Sequence, residues 1–471
     1  MTPAPIPADA TTVAIDPTQT LGPVKYMNAV NNGPKKAPPS QRSENFTAYR
    51  AARIPFARTH DANYAVAYGA PHTVDISAVF PDFDADADDP RSYDFVRTDA
   101  YLQTIAEAGT EVFYRLGELS DRGPAKYVSL PPKDAGKWAR ICEHIIRHYT
   151  EGWAGGPRLK IRYWEIWNEP DLRVPLDGVS VNEGAGFWYG TTTQFFELFA
   201  VTAKHLKKCF PHLKIGGPAI AGSEKWTELF LAEMRRRRVP IDFFSWHCYA
   251  SDPEHPAARA RTFRDMLERH GYRKTESILN EWNYVKDWAP SWVYSLEVES
   301  GAFNLKGAAF AAAVMCRCQN APVDMLMYYD ARVGTSMNGM FAARSLKPAK
   351  GYYPFYAWAK LLDRGTQVHA EITWAETKGC GHPDTGNDVY ATAAVSPGGR
   401  HGAALVTRFT DDNNVVWERN VRIAVAGVPL KKAVCHLTDG YRTYTEVPAE
   451  VCEDGSLLLA MGPCSFVLVE W

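Results

Sequence analysis

Short apolar runs alternate with amphipathic segments along the chain from about residue 24 to residue 363. This alternation is typical of repeated strand–helix units, in which a buried strand is followed by a helix that packs on the sheet. The candidate strands are Lys25 to Ala29, Ile54 to Arg58, Glu111 to Leu116, Ile161 to Trp167, Leu213 to Gly217, Asp242 to His247, Glu276 to Glu281 and Asp324 to Tyr329. Eight parallel units of this kind close into a barrel. We therefore predict an α/β fold with a (β/α)8 TIM barrel over residues 24–363.

The pattern changes after about Thr366. Short runs of alternating apolar and polar residues follow, such as Gly402 to Thr407, and they are separated by Gly, Pro, Asn and Asp turns. This pattern predicts a C-terminal β-sandwich domain over residues 364–471. Residues 1–23 form a proline-rich N-terminal extension, and Thr11 to Ile15 within it is a candidate edge strand of the same sandwich.

The charge of the chain excludes some classes of partner. Lys and Arg number 52 and Asp and Glu number 54, so the formal net charge is -2 and gives no reason to expect nucleic acid or an anionic membrane as a partner. The N-terminus lacks the basic and apolar regions of a signal peptide, and the longest apolar run, Ala308 to Cys316, is too short to span a bilayer. We therefore expect a cytoplasmic protein.

No metal or cofactor motif stands out. The nine cysteines are an odd number and form no CxxC pair. His144 and His148 have the i, i+4 spacing of zinc ligands, but their segment is not HExxH. The acidic run over residues 82–89 lacks the glycine and the last acidic ligand of a calcium loop. No glycine-rich phosphate loop follows a strand, so we predict that no metal or cofactor is required.

Two carboxylic acids stand at the ends of candidate strands. The fourth strand ends in the tetrapeptide WNEP (residues 167–170), and the seventh ends at Glu281. The chemistry of such barrels gathers at the C-terminal ends of the strands, and the fourth and seventh strands lie on opposite sides. Carboxyl groups about 5 to 5.5 Å apart bracket one glycosidic bond in retaining enzymes. The pattern predicts Glu169 and Glu281 as a catalytic pair, in which one carboxylate attacks the anomeric carbon and the other protonates the leaving oxygen. The negative charge of one raises the pKa of the other, so that the acid stays protonated.

Glu165 is the competing carboxylate. It shares the strand parity of Glu169 and is expected one layer lower in the barrel. We interpret it as a structural residue of the barrel interior, paired with Arg58 or Arg115.

The tetrapeptide at residues 167–170 and a Glu ending the seventh strand resemble the large clan of retaining (β/α)8 glycosidases. Within that clan, the chain most resembles glycoside hydrolase family 39, which includes β-xylosidases and α-L-iduronidases. Three further motifs fit the pattern of the family, RTHD (58–61), YRLG (114–117) and SWHCY (245–249). The resemblance covers both the barrel and the appended β-sandwich, and thus nearly the whole chain.

The resemblance implies that Glu169 is the general acid/base and Glu281 the nucleophile. It also implies roles for several neighbours of these two glutamates. Asn168 would hydrogen-bond the sugar 2-hydroxyl, a contact that strengthens in the transition state. Tyr249 or His247 would orient or hydrogen-bond the nucleophile. Arg58 and His60 would line the site of the non-reducing sugar.

Aromatic side chains are dense near the predicted mouth, and sugars bind with their apolar faces on such rings. Where the family commonly has a Tyr-Trp pair at the end of the eighth strand, this chain has Tyr328-Tyr329, so Tyr329 is expected to supply the aromatic floor. Trp282 is expected to contact substrate as well. Further candidates, some of which a barrel would use as core, are Trp246, Trp288 and Trp292.

These observations predict a retaining, exo-acting glycoside hydrolase that removes non-reducing-end sugars from short oligosaccharides by double displacement. The resemblance places β-xylosidase first. The alternatives are β-galactosidase, β-glucosidase, α-L-arabinofuranosidase and arabinobiosidase, and an alternative of another class is a carbohydrate-binding barrel without turnover. The expected partner is an oligosaccharide or glycoside, and the sequence leaves open whether the chain forms a homo-oligomer.

Overall fold

In the computed structural model of the protein, the described residues are 5–35, 44–60, 73–119, 129–172, 186–288, 305–331, 333–334, 336–375, 386–399 and 401–471. Asp61, Trp292 and Cys380 lie outside these ranges. The other cysteines are free thiols, and most of them are buried. Among the described helices, none combines the length and apolar character that crossing a membrane requires.

The predicted barrel is confirmed. The first strand, β1 (Thr11–Pro23), belongs to a second sheet, and the next eight close into a parallel barrel in sequence order. The barrel strands are β2 (Tyr26–Asn31), β3 (Phe56–Arg58), β4 (Glu111–Leu116), β5 (Tyr163–Ile166), β6 (Lys214–Ile220), β7 (Phe243–Ala250), β8 (Glu276–Tyr284) and β9 (Met325–Tyr328). Strands β6, β7 and β8 extend three residues beyond their predicted ends, toward the mouth.

The helices lie between the strands and after the barrel. Within the described ranges they are α1 (Phe46–Ala51), α2 (Ile76–Val79), α3 (Val96–Glu107), α4 (Ala135–Glu151), α5 (Thr192–Cys209), α6 (Glu224–Arg236), α7 (Glu254–Arg269), α8 (Leu305–Gln319) and α9 (Tyr353–Arg364). Local sequence sets their ends. The Asp134 side chain accepts from the Lys137 N–H at the start of α4, and Gly152 ends that helix with a φ of 82°. Thr191 and Gln194 form a capping box at the start of α5.

The interior of the barrel has an apolar floor with a polar layer above it. The floor is a cluster of buried residues, namely Ala29, Phe56, Phe113, Tyr163, Phe243, Ile278, Met325 and Met327. Strand β6 has Gly216 beside the Phe243 of this floor. A glycine is required at this position, because a Cβ would collide with the backbone oxygen and the ring of Phe243. Toward the mouth, the fully buried side chains become charged, as at Arg58 and Glu165. The polar layer therefore lies directly beneath the ends of the strands.

The C-terminal region forms a ten-stranded sheet with β1 inside it. The remaining strands are β10 (Thr366–Thr373), β11 (Val389–Val395), β12 (Gly402–Phe409), β13 (Arg419–Val425), β14 (Val434–Thr438), β15 (Thr445–Val447), β16 (Glu450–Val451), β17 (Leu457–Met461) and β18 (Cys464–Glu470). The prediction of an edge strand in residues 1–23 is wrong, because β1 pairs antiparallel with β10 and parallel with β13. The edges are β15 and β16.

The two faces of this sheet pack on different cores. On β12, Ala404 and Val406 belong to the core of the sheet itself, whereas Ala403 and Leu405 belong to the main core with the barrel helices. This alternation follows from the period of two along a strand. Helices α8 and α9 pack on the face that carries Ala403 and Leu405. The sheet is thus joined to the barrel through an apolar interface.

Candidate active site

The two glutamates predicted from the sequence meet at the mouth of the barrel. Glu169 follows β5 and Glu281 lies in β8. One carboxylate oxygen of each lies within 4.8 Å of the other, and a ring nitrogen of His247 lies within the same distance of both. Retaining glycosidases hold their carboxyl groups about 5 to 5.5 Å apart. The observed approach fits direct attack on an anomeric carbon by one of the two carboxylates.

A bulge in β8 turns Glu281 toward the barrel axis. Strand β8 pairs with β7 through Leu279 opposite Trp246 and Glu281 opposite His247, so Asn280 is an extra residue in β8. Leu279 points to the helix layer, while the Asn280 side chain donates to Glu165 in the interior. Such an insertion shifts the alternation of side chains by one position. Asn280 and Glu281 therefore both face inward.

The backbone around Glu169 has an uncommon conformation. Trp167 has a φ of 72° and Glu169 a φ of 43°, which places two residues with side chains in the left-handed region. The Glu169 N–H donates to the Ala219 carbonyl at 2.8 Å. Residues held in such regions cluster at functional sites, where the surrounding structure stabilises them. Here the turn lifts the carboxylate of Glu169 over the mouth instead of continuing the strand.

Arg58 connects the polar residues beneath the site. Its side chain is fully buried. Nε donates to Glu165 Oε2 at 2.6 Å, and Nη2 donates to Asn168 Oδ1 at 2.6 Å. Nη1 donates to Glu281 Oε1 at 2.7 Å and to Asn31 Oδ1 at 3.0 Å. One guanidinium thus fixes the side chains of three different strand ends, which is the geometry that arginine allows and lysine does not.

Glu165 is a structural carboxylate, as the sequence suggested. It is fully buried and accepts from Arg58, from Ser245 Oγ at 2.7 Å and from Asn280 Nδ2 at 2.5 Å. Arg115, the other predicted partner, pairs with Asp75 at 2.6 Å instead. Glu165 therefore holds Arg58 in place and does not face the mouth.

Tyr249 and His60 complete the surroundings of Glu281. The Tyr249 hydroxyl donates to Glu281 Oε2 at 2.7 Å, and His60 Nε2 lies 3.7 Å from Oε1. Burial, followed by the charge of Glu281, raises the pKa of Tyr249 well above its ordinary value. Tyr249 therefore stays a hydrogen-bond donor throughout the physiological pH range. Both oxygens of Glu281 are held by donors that stabilise a negative charge.

His247 lies between the two glutamates. Its Nδ1 is 2.7 Å from Glu169 Oε1 and 3.4 Å from Glu281 Oε2. Burial is the main reason why the pKa of His247 falls to about 4, and the nearby Arg58 lowers it further, against the opposing charges of Glu281 and Glu165. The imidazole is therefore neutral at pH 7, and one N–H can be shared with a carboxylate.

The neutral His247 makes stability depend on pH. Because the pKa is about 4 in the folded protein and about 6.5 when unfolded, the unfolded chain binds the extra proton first. The free energy of unfolding should lose up to about 3 kcal/mol from this group as the pH falls from about 6.5 to about 4. Urea unfolding across this window should show a shallower loss in His247→Asn than in the wild type. Identical pH dependence of the two proteins would contradict the assignment.

Two further predicted residues lie at the site. Asn168 is fully buried, and its Nδ2 has no hydrogen-bond partner among the residues that the structure describes. Tyr329 is buried beside Tyr249, with ring centroids 6.3 Å apart. Trp288 lies on the other side of Tyr249, at 4.9 Å between centroids, and is 58% exposed. The mouth therefore combines an amide donor with aromatic walls.

The prediction that Trp282 contacts substrate is wrong. Its ring is fully buried in the main core and packs edge-on against Tyr328, with centroids 5.1 Å apart. The reason is alternation, since Trp282 follows the inward-facing Glu281 and must point to the helix layer. Trp246 of β7 is likewise core and donates to Ser277 Oγ at 3.0 Å.

Sequence reasoning missed three polar residues that support the site. Asn31, Ser245 and Asn280 are fully buried and bond to Arg58 or to Glu165. The available signal was a polar residue at an inward position of an otherwise apolar strand. Polar side chains require hydrogen-bond partners when they are buried. Several of them at inward positions therefore indicate a charged residue in the barrel interior.

Two clusters bring three metal-ligating atoms within 4.8 Å of one another, among the residues that the structure describes. One is the site itself, where Arg58 pairs with Glu281. The other consists of Glu143, His205 and Cys209, where Arg147 pairs with Glu143 at 2.8 Å. In each cluster a guanidinium already neutralises one carboxylate that a cation would use, Glu281 in the first and Glu143 in the second, so we assign a metal to neither.

Comparison with known proteins places the chain in a family. Residues 12–329 match the glycosyl hydrolases family 39, and the chain belongs to that family, whose members act with retention. A β-xylosidase from Geobacillus stearothermophilus is 31% identical over 186 residues, which are 39% of this chain and 32% of the relative. A β-xylosidase from Caldicellulosiruptor saccharolyticus is 27% identical over 169 residues, 34% of this chain and 32% of the relative. Each alignment thus spans about a third of the relative's length.

Solved structures share the fold over nearly the whole chain. A glucosidase from Croceicoccus marinus has a TM-score of 0.74 at 20% identity, with 98% of each chain covered. A GH39 β-xylosidase from Caulobacter crescentus has a TM-score of 0.63 at 17% identity, with 98% of this chain and 99% of that chain covered. At these identities the likeness concerns the arrangement of the barrel and the C-terminal sheet.

Proposed function

We propose that this chain is a retaining, exo-acting glycosidase that uses Glu281 as nucleophile and Glu169 as general acid/base. The observation that carries the proposal is the approach of the two carboxylates to within 4.8 Å at the mouth of the barrel. Family membership supports it. The β-xylosidases among the relatives favour a β-xyloside as substrate.

In the first step, Glu281 attacks the anomeric carbon while Glu169 donates its proton to the departing oxygen. The glycosidic bond breaks, and an ester bond between the sugar and Glu281 forms. In the second step, Glu169 removes a proton from water, the water oxygen attacks the anomeric carbon, and Glu281 leaves as a carboxylate. Two inversions give net retention, and both glutamates return to their starting protonation states.

The surroundings of the two carboxyl groups suit these different tasks. Glu281 accepts from the Arg58 guanidinium and from the Tyr249 hydroxyl, and both donors stabilise the carboxylate that attacks. Glu169 instead contacts His247, whose lowered pKa leaves it uncharged. A neutral neighbour lets Glu169 alternate between acid and base within one turnover.

The remaining predicted residues have places in this scheme. The Asn168 amide, with its Oδ1 held by Arg58, is oriented to donate from Nδ2 to the sugar 2-hydroxyl. Arg58 and His60 contact Glu281 Oε1 and line the side of the non-reducing sugar. Tyr329 and Tyr249 form an aromatic wall against the sugar face.

A panel of 4-nitrophenyl glycosides tests the proposal. The panel contains the β-xyloside, β-galactoside, β-glucoside and α-L-arabinofuranoside. It also contains the glycoside of arabinobiose, which tests for an arabinobiosidase. We expect the highest kcat/KM on the β-xyloside. Proton NMR of the first-formed sugar should show the anomeric configuration of the substrate. Release of the opposite anomer would contradict the retaining mechanism, and binding of oligosaccharides without turnover of any glycoside would favour a carbohydrate-binding barrel.

The effect of replacing Glu169 on the rate should depend on the leaving group of the substrate. Glu169→Ala should lower kcat/KM by about 10²-fold to 10⁴-fold on glycosides with poor leaving groups, which need protonation. It should change the first step little for a 2,4-dinitrophenyl glycoside, which leaves without a proton. Azide should accelerate the second step and give a glycosyl azide of retained configuration. An equal loss on all leaving groups would remove Glu169 from the acid role.

A further inference from the structure

Three side chains of the barrel region converge on one carboxylate of the C-terminal sheet. Asp411 follows β12. The Tyr284 hydroxyl donates to Asp411 Oδ1 at 2.5 Å, and Lys286 Nζ lies 2.8 Å from Oδ2. Lys306 Nζ lies 3.6 Å from Oδ1 and donates to the Asp411 carbonyl at 3.1 Å. Lys306 also donates to Asn413 Oδ1 at 2.5 Å. Both oxygens of this carboxylate are thus used by the barrel region.

These partners mark the part of the chain that follows the proposed nucleophile. Tyr284 is the last residue of β8, three residues after Glu281. Lys286 comes two residues later, and Lys306 lies in the first turn of α8. One carboxylate therefore holds the end of the nucleophile strand and the start of the helix that comes after it.

Strand β7 connects the end of β8 to Glu281 through backbone pairing and one side-chain hydrogen bond. Asn283 pairs with Tyr249 and Tyr284 pairs with Ala250 across the two strands. The Tyr249 hydroxyl donates to Glu281, and its ring contacts Trp288. A displacement at the end of β8 would therefore change the Tyr249–Glu281 hydrogen bond and the exposed wall at Trp288.

Burial makes the cluster strongly dependent on Asp411. The Lys306 side chain is only 10% exposed, and its ammonium lies 5.7 Å from the centroid of the Tyr284 ring. A buried ammonium requires a compensating charge and hydrogen-bond acceptors. Asp411 and Asn413 supply both from the C-terminal sheet. Removal of this charge would weaken the compensation of the buried Lys306 ammonium and remove the acceptor of the Tyr284 hydroxyl, which favours movement of both side chains.

We propose that Asp411 is a positioning residue for the nucleophile, supplied by the C-terminal sheet. It sets the end of β8 and, through Tyr249, the orientation of the Glu281 carboxylate. Its effect on turnover rests on the proposed glycosidase function, whereas its effect on β8 does not. The C-terminal sheet then contributes to the geometry of the active site in addition to packing on the barrel.

The test compares Asp411→Asn with Asp388→Asn. Asp388 is a buried carboxylate of the same sheet that pairs with Arg408 at 2.9 Å and with Arg419 at 3.3 Å, so its loss weakens the sheet. Both arginines belong to the C-terminal sheet and neither lies in β8. A 2,4-dinitrophenyl 2-deoxy-2-fluoro glycoside gives a burst of 2,4-dinitrophenol. The amplitude of the burst measures the concentration of active sites, and its rate constant measures attack by Glu281. Below the unfolding temperature of each variant, we expect Asp411→Asn to lower the attack rate and kcat per site by about 10-fold to 100-fold, since small misplacements of reacting groups have effects of this size.

Asp388→Asn should keep the rate per site within about twofold of the wild type while lowering the unfolding temperature, and Asp411→Glu should recover part of the rate. Fewer active sites with an unchanged rate per site in Asp411→Asn would overturn the proposal. Hydrogen exchange of the peptide containing residues 280–288 gives a reading independent of activity. Faster exchange is expected in Asp411→Asn and not in Asp388→Asn. If the wild type is inert on glycosides but this difference in exchange appears, the proposed function fails and the effect of Asp411 on β8 stands. If exchange is equal in the two variants, the positioning role fails.

Discussion

Glu281→Ala should lower kcat/KM on an aryl glycoside by at least about 10⁴-fold, the scale seen when a covalent nucleophile is removed. The loss should be independent of the leaving group, because no ester intermediate can form. Azide should restore turnover by occupying the space of the missing carboxylate and should give a glycosyl azide of inverted configuration. The product is measured by NMR.

The anomeric configuration of the glycosyl azide distinguishes the role of Glu169 from that of Glu281. Glu169→Ala gives the retained azide and Glu281→Ala the inverted one, so each variant is the control for the other. If Glu281→Ala keeps more than a tenth of the wild-type activity, Glu281 is not the nucleophile. The buried Glu165 is not a substitute in that case, because both of its oxygens are occupied by Arg58, Ser245 and Asn280.

Arg58→Met should lower the free energy of unfolding by about 3 to 5 kcal/mol, which is the usual effect of removing one partner from a buried ion pair. The cause is that Glu165 and Glu281 lose the guanidinium that contacts both at 2.6 and 2.7 Å. Urea unfolding at pH 7 measures the change. The fall should be smaller in the double variant Arg58→Met, Glu165→Gln, because one of the buried charges is then gone.

Arg53→Met is the matched control for this prediction. Arg53 also pairs with a carboxylate, Asp363, but both side chains are about half exposed. Surface pairs contribute about 0 to 1 kcal/mol, so this variant should unfold at nearly the same urea concentration as the wild type. Equal effects of the two substitutions would mean that the Arg58 network is open to water, and would contradict the buried arrangement.

Local pattern was sufficient to predict the barrel and the two glutamates. Eight apolar runs with helical segments between them define strand ends, and Glu169 and Glu281 follow from those ends. The pairing of Arg58 with Glu165 was also accessible, because a charged residue at an inward position of a barrel strand needs an opposite charge. These inferences use spacing within a few residues or the symmetry of the barrel.

The failures concern features that spacing does not encode. Trp282 was assigned to the substrate because it adjoins Glu281, but a bulge at Asn280 decides which neighbours face inward. A bulge depends on the partner strand β7, so the sequence of β8 alone does not reveal it. Strand β1 was placed at an edge because nothing near Thr11 indicates its two partners. Those partners, β10 and β13, lie hundreds of residues away.

The interior position of β1 has a consequence for the order in which the protein is completed. Residues 11–15 pair with residues 421–425, which are synthesised about 400 residues later. At about 5 to 20 residues per second, translation separates these partners by roughly 20 to 80 s. Until then β1 lacks its neighbour β13, and β18, which also packs on α8, has not yet been made. The nascent chain therefore carries an incomplete sheet, and is exposed to aggregation and to chaperones, until β13 and β18 have been made.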